Sequence, residues 1–200
     1  MSYRDLKSYQ QSAVIYDFTV EFCNKYIDWT NTPYSASKSY KQNTSNRTYT
    51  RTHDQMVQAA RSGKQNIVEG SSNPTSEKSE LKLLGVARAS FQELLEDYED
   101  FLRQRGMRKW NKDEPAALTV RNSYKSNPTD KSYKSYLDDP EIAANAAICL
   151  INQVNFLLDR QISACEKEFV SRGDYDENLS KKRNEIKKRE IINRELRKYE

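Results

Sequence analysis

Cationic side chains at short, irregular spacing are the most chemically suggestive feature of this sequence. Lys38, Lys41, Arg47 and Arg51 fall within residues 30–52, TNTPYSASKSYKQNTSNRTYTRT, which hold no acid but three tyrosines, Tyr34, Tyr40 and Tyr49. Tyrosine interleaved with Lys/Arg can stack on unpaired bases while the cations hold phosphates. The same composition also describes a low-complexity surface loop. A denser run, Lys181, Lys182, Arg183, Lys187, Lys188 and Arg189, lies toward the C-terminal end, and Arg61 and Lys64 stand between the two clusters. These are the candidate phosphate contacts.

Catalytic chemistry is thinly provided for. His53 is the only histidine; it lies in no Cys/Asp/Glu motif of zinc-ligand spacing, and it would have to be the base of any nucleophile–base pair, for which no nucleophile elbow is present. No Walker A loop and no GxGxxG is present. Glu93, Glu96, Asp97, Glu99 and Asp100 form an acidic helical face. Such a face could chelate a cation, but no histidine accompanies it, and a solvated face bridged to Arg103 and Arg105 is the simpler expectation. The chain is therefore expected not to be an enzyme and to need neither cofactor nor metal. Cys23, Cys149 and Cys165 show no CxxC spacing and read as small core residues of a reducing compartment. No N-terminal apolar run resembles a signal peptide, and AAICLI at 146–151 is too short to span a bilayer. A cytoplasmic protein with no membrane partner is expected.

The charge is unevenly distributed. Residues 180–200 carry nine Lys/Arg and four Glu, a net of +5, which leaves −1 of the overall +4 for the remaining chain. A basic periphery on a near-neutral body suits contact with a polyanion, and it also suits plain solubility.

The elements that must position these residues are helices, since Gly and Pro are scarce, at five each. The first helix is predicted over 4–29, with Leu6, Tyr9, Ala13, Tyr16, Val20, Cys23 and Ile27 as its stripe and Ile15, Phe18, Phe22 and Trp29 as a second apolar row. The second is predicted from an Asp54 N-cap to a Gly70 terminator. Its stripe is Met56, Ala60, Gly63 and Ile67, and the small Ala60 and Gly63 invite a close helix–helix approach. After the turn SSNPTSEKS, where Asn73 or Ser76 can cap, the third helix runs over about 76–105 on Leu81, Leu84, Arg88, Phe91, Leu95, Tyr98 and Leu102. Arg88 either pairs with Glu69 or extends its charge to the rim. Gly106 ends this helix. Residues 107–137 read as a polar loop whose middle, EPAALTVRNSY, can form a short helix, with Trp110 folded back as a lid. Asp138 or Asp139 caps the fourth helix, with Pro140 in its first turn. Its stripe is Ala144, Ala147, Ile151, Val154, Leu158, Gln161 and Cys165. A fifth, charged helix over 174–200 has thin apolar content and favourable Glu185–Arg189 and Glu190–Arg194 spacings. The expected organisation is an all-α, antiparallel up-and-down four-helix bundle over 1–172, with polar loops at about 30–52 and 107–137. A charged helical suffix follows over 173–200.

Residues 55–106 carry a resemblance. Gln55, Ala59, Ala60, Asn66, Ile67, Glu69, Gly70, Ser76, Ala87, Glu93, Leu94 and Glu96 stand where the proteins named for intervening sequences of bacterial 23S rRNA genes have their pattern of small residues, N-I-x-E-G, serine turn and glutamate-rich helix. RSGKQNIVEGS, VARASFQELLEDYEDFLRQRG and Trp110 look like the four-helix-bundle subgroup with a suffix domain. The resemblance implies a bacterial antiparallel bundle and a ring-shaped homo-oligomer, a pentamer in relatives. One branch, the accessory variability determinant of diversity-generating retroelements, binds nucleic acid and partners a reverse transcriptase. The resemblance thus implies RNA or DNA, or another protein, as partner, while much of the family has no assigned function. The loop at 31–52 is longer than the subgroup pattern.

Overall fold

A computed structural model describes residues 2–27, 45–72, 77–126, 132–172 and 175–196. Every regular element among them is helical. A 3-10 turn at Tyr3–Asp5, closed by a Ser2/Asp5 capping box, leads into α1, Lys7–Tyr26. Then come α2 (Ser45–Ser72), α3 (Glu77–Gln104), the short α4 (Pro115–Ser126), a 3-10 segment at Ser132–Asp138, α5 (Pro140–Arg172) and α6 (Tyr175–Leu196).

Four of the helices, α1, α2, α3 and α5, contact one another in a closed cycle: α1 meets α2 and α5, and α3 meets α2 and α5. Side-chain contacts give the directions. Cys23 lies 3.8 Å from Met56 and Tyr16 lies under Lys64, so α1 and α2 run oppositely. Ser62 bonds Ser90 at 3.0 Å while Gly70 abuts Leu83, so α2 and α3 do too. Ser8 reaches Gln161 and Gln11 reaches Gln153, which sets α5 antiparallel to α1.

The core differs from the predicted stripes in an instructive way. In α3 it follows them: Leu84, Phe91, Leu95, Tyr98 and Leu102 are buried, joined by Ala87, Leu94 and Phe101. In α5 Ala144, Ala147, Ile151, Val154 and Leu158 are buried as expected, while Gln161 and Cys165 are half-exposed. In α1 the buried face is turned toward the second row. Ile15, Phe18 and Phe22 are buried together with Cys23 and Ile27 of the stripe, while Tyr9, Ala13, Tyr16 and Val20 lie at the margin. The rotation buries Ser8, Gln11, Ser12 and Thr19, each hydrogen-bonded: Ser8 to Gln161, Gln11 to Gln153, Ser12 to the Tyr9 carbonyl, and Thr19 accepting from Tyr98. Paired in this way, the hydroxyls and amide escape the penalty of bare burial. Phe22 then meets Tyr98 and Phe101 edge-on at 4.8 and 4.9 Å between centroids, an arrangement that suits the ring quadrupoles.

Several boundaries move. Residues 45–52 belong to α2, so the helix passes through Asp54 instead of starting there. His53, expected at a loop–helix boundary, is a helical residue touching Asn24 and Asp54. Gly70 does not terminate α2 either: it is buried and helical, two residues before the end, and a Cβ there would meet that of Leu83 at 3.4 Å. The left-handed terminator is Gly106, at φ 66°, after α3. Within 107–137 the expected short helix is α4, and the described residues 132–137 add a 3-10 segment. Ala117 and Val120 of α4 are buried, as are Tyr133 and Leu137 in KSYKSYL. Trp110 folds back as expected, its backbone N–H donating to Asn145 Oδ1 at 2.7 Å. Asp139 caps α5 by accepting from the Ile142 N–H at 2.9 Å. By length and composition α5 could cross a membrane, but 67% of its most apolar window is buried within the protein.

Candidate nucleic-acid interface

The predicted cations separate into three groups. On α6, Lys181, Lys182, Arg183, Lys187, Lys188 and Arg189 are all exposed, and none of them makes an ion pair among the described residues. The expected Glu185–Arg189 and Glu190–Arg194 bridges do not close there either. Helical spacing places Lys181 with Lys188, and Lys182 with Arg189, on one side, and Arg183 with Lys187 on another. The charge therefore surrounds the helix. Apolar groups share its surface: Leu179, Ile186, Ile191 and Ile192 are exposed, as is Val170 before them.

The second group lies on α2. Arg61 is exposed. Lys64 is half-buried with its Nζ 4.2 Å above the Tyr16 ring, so it ties α2 to α1 instead of standing free. Arg51 is exposed at one wall of a polar groove of about 890 Å3 between α2 and α3, whose other walls include Asp54, Gln58, Glu93 and Asp97. Arg47 lies in the first turns of α2. Lys38 and Lys41, with Tyr34 and Tyr40, lie outside the described residues.

That groove is acidic. Burial, then Asp100 and Glu93, pushes the Asp97 carboxyl up to about 6. Its negative potential disfavours phosphate at Arg51. The rest of the acidic face is solvated and bridged: Arg103 pairs with Asp100 at 2.7 Å and Lys109 with Glu99, while Arg105 lies over the Phe101 ring. Among the described residues no group of three or more His, Cys, Asp or Glu converges on a metal-sized space. Burial pushes the Cys23 thiol up to about 12, helped by Asp97, and that of Cys149 up to about 11. Both stay protonated near neutral pH and are poor nucleophiles.

Two structural expectations resolve differently. Ala60 is fully buried and a Cβ on Gly63 would lie 2.6 Å from the Phe91 ring, so the close approach exists, with α3 as its partner. Arg88 does not pair with Glu69, which is exposed. Its Nε donates to Asp159 of α5 at 3.0 Å and its Nη1 to Gln92 at 3.2 Å. Arg88 lies on the side of α3 facing α5, and Asp159 is the carboxylate that α5 supplies there. Nothing in the sequence singles out Lys7, Arg121 and Arg160, which line one cleft only because α1, α4 and α5 converge.

Compared with known protein families, with curated proteins and with solved structures, the chain matches none at a significant level.

Proposed function

We propose that this chain is a non-catalytic, oligomeric helical protein that binds RNA or DNA electrostatically, chiefly through α6. The observation that carries the reading is the set of six α6 cations, Lys181 to Arg189, held in solvent without partners on the body. Such charges are free to displace the counterions condensed on a nucleic acid. Arg61 is a secondary contact. The pairwise antiparallel contacts of α1, α2, α3 and α5 favour an up-and-down four-helix bundle as the body, with α6 as its suffix. The residue pattern over 55–106 favours kinship with the suffix-domain bundle proteins, and with it a ring-shaped homo-oligomer, a pentamer, in the cytoplasm.

The test is fluorescence anisotropy with a labelled oligonucleotide across a salt series. With the Lys181, Lys182, Lys188 and Arg189 side of α6 on a duplex, log K should fall with log[salt] at a slope of roughly −3.6, about 0.9 for each phosphate contact. Replacing the six cations by Gln should remove most of the binding. No detectable affinity at about 50 mM salt, or affinity indifferent to salt, would overturn the proposal.

A second reading has its own observation. Leu179, Ile186, Ile191 and Ile192 are 47–62% exposed, a cost in water that a protein partner or neighbouring subunit would relieve. In that reading α6 is a docking arm and the chain an interaction scaffold or accessory subunit.

A further inference from the structure

We propose that the cleft between α1, α4 and α5 is a binding site for a small amphiphilic anion, a carboxylate, sulfonate or phosphate head on an apolar body. Its described lining comes from the body and includes no α6 residue, and the site does not rest on the nucleic-acid reading.

The cleft encloses about 560 Å3, within the range of small-molecule sites, which is roughly 300–1,000 Å3. Its lining separates into two chemistries. Lys7, Arg121 and Arg160 supply three cations against one carboxylate, Asp113. Among the described residues none of these four charges is in an ion pair. Unneutralised cations around a concave, partly desolvated surface favour an anion, and Arg offers the planar fork suited to carboxylate and phosphate oxygens. The apolar part is Phe156, Leu118 and Leu157. Phe156 is 61% exposed and Leu118 42%, an arrangement that the body alone leaves uncovered. The Arg160 guanidinium lies 5.9 Å from the Phe156 centroid, so charge and apolar surface adjoin.

The floor is pre-formed. Gln11, only 3% exposed, donates to Gln153 Oε1 at 2.7 Å, and Gln153 Nε2 donates to the Arg121 carbonyl at 2.7 Å. This two-amide chain fixes α1, α5 and α4 to one another beneath the cleft. A ligand therefore meets walls already in place, and little ordering free energy is lost on binding.

The probes are 8-anilinonaphthalene-1-sulfonate and its uncharged relative N-phenyl-1-naphthylamine, titrated by fluorescence into the full chain. The sulfonate probe should saturate at one per chain. Lys7→Gln with Arg160→Gln, both exposed side chains whose loss leaves the core intact, should weaken the sulfonate probe about tenfold or more. The same pair of changes should leave the uncharged probe within about twofold. Phe156→Ser should weaken both probes, with circular dichroism unchanged. Absence of saturable binding overturns the proposal, as does sulfonate affinity indifferent to Lys7 and Arg160, the outcome if the probe merely coats the apolar groups of α6. If the wild type excludes both probes and Phe156→Ser lowers the mass measured by light scattering, the cleft is filled by a second copy, and the ligand site is likewise overturned.

Discussion

Substitution at Gly63 places a methyl group 2.6 Å from Phe91 ring atoms, and Phe91 is fully buried. The ring cannot swing aside without disturbing the core between α2, α3 and α5, so Gly63→Ala should cost about 1–3 kcal/mol. This outweighs the 0.5–1 kcal/mol or so that replacing a mid-helix glycine normally returns. Gly85 is the internal control: in α3, with nothing within 4 Å of a built Cβ, Gly85→Ala should stabilise by about 0.5–1 kcal/mol. Urea unfolding of both variants reads the contrast, and equal shifts would mean α2 and α3 are not closely apposed. Arg88 contributes little by comparison. Its pair with Asp159 has side chains 32% and 58% exposed, so solvent screening limits it to at most about 1 kcal/mol. Asp97 gives a pH signature. Its folded carboxyl titrates near 6, raised by burial first and then by Asp100 and Glu93. An unfolded aspartate titrates near about 4. The folded state thus binds the proton more tightly, and the stability this adds is complete below about pH 4 and lost as pH rises through about 6. Asp97→Asn should therefore exceed the parent's stability at about pH 8, by up to about 1 kcal/mol after discounting for partial exposure. That advantage should fade by about pH 4; thermal melts of the two proteins across that range measure it, and a pH-independent difference would refute the assignment.

At the scale of elements, α3 and α5 were legible because their apolar residues repeat at helical spacing with few competitors. The α1 helix was legible only in part: both apolar rows contribute to the core, but the first row is buried only at Cys23 and Ile27. The face that goes inside, centred on Ile15, Phe18 and Phe22, carries Ser8, Gln11 and Thr19 into the interior. Their partners, Gln161, Gln153 and Tyr98, lie far along the chain, and no single-sequence pattern matches a polar residue to a partner on another helix. The start of α2 was hidden for a different reason: residues 45–52 have the Ser/Thr/Asn composition of a turn, yet they extend a helix anchored further on by Met56, Ala60 and Ile67. Asp54 has the right chemistry for a cap, but a cap residue inside a propagating helix caps nothing. The segment after α3 was half legible. Trp110 announced a fold-back, but its anchor, Asn145, reads as an ordinary polar residue among alanines. Asn145 is 1% exposed; it accepts from the Trp110 N–H and donates to the Arg108 carbonyl at 2.8 Å and the Glu141 carbonyl at 2.9 Å. Asn145→Ala strands the Trp110 N–H and the Arg108 carbonyl, and should cost about 1–3 kcal/mol. Hydrogen exchange at Trp110 should accelerate in that variant, whereas unchanged protection would mean the segment is held by Trp110 packing alone.

At the scale of the whole molecule, the body and α6 obey different physics. The body buries aromatic and aliphatic side chains from α1, α2, α3, α4 and α5 in one cluster. Every α6 side chain whose exposure is described is exposed, so α6 draws little stability from the rest of the chain. The basic run was visible in the sequence as a composition. That it stands clear of the acidic α2–α3 groove follows only from the packing, since Arg51, in the same candidate set, ended beside Asp54, Glu93 and Asp97. Ending the chain after Arg172 removes the Lys181–Arg189 cations together with Leu179, Ile186, Ile191 and Ile192. Unfolding of the remaining body should shift by no more than about 0.5 kcal/mol, the scale of surface changes. Oligonucleotide affinity and solution mass then separate the two readings of α6. Loss of affinity with the mass per assembly falling only by the deleted segments favours the nucleic-acid reading. Loss of assembly with affinity retained favours docking on a neighbouring subunit through the exposed isoleucines. A large loss of body stability would contradict both, because it would mean α6 packs on the helices it leaves uncovered here.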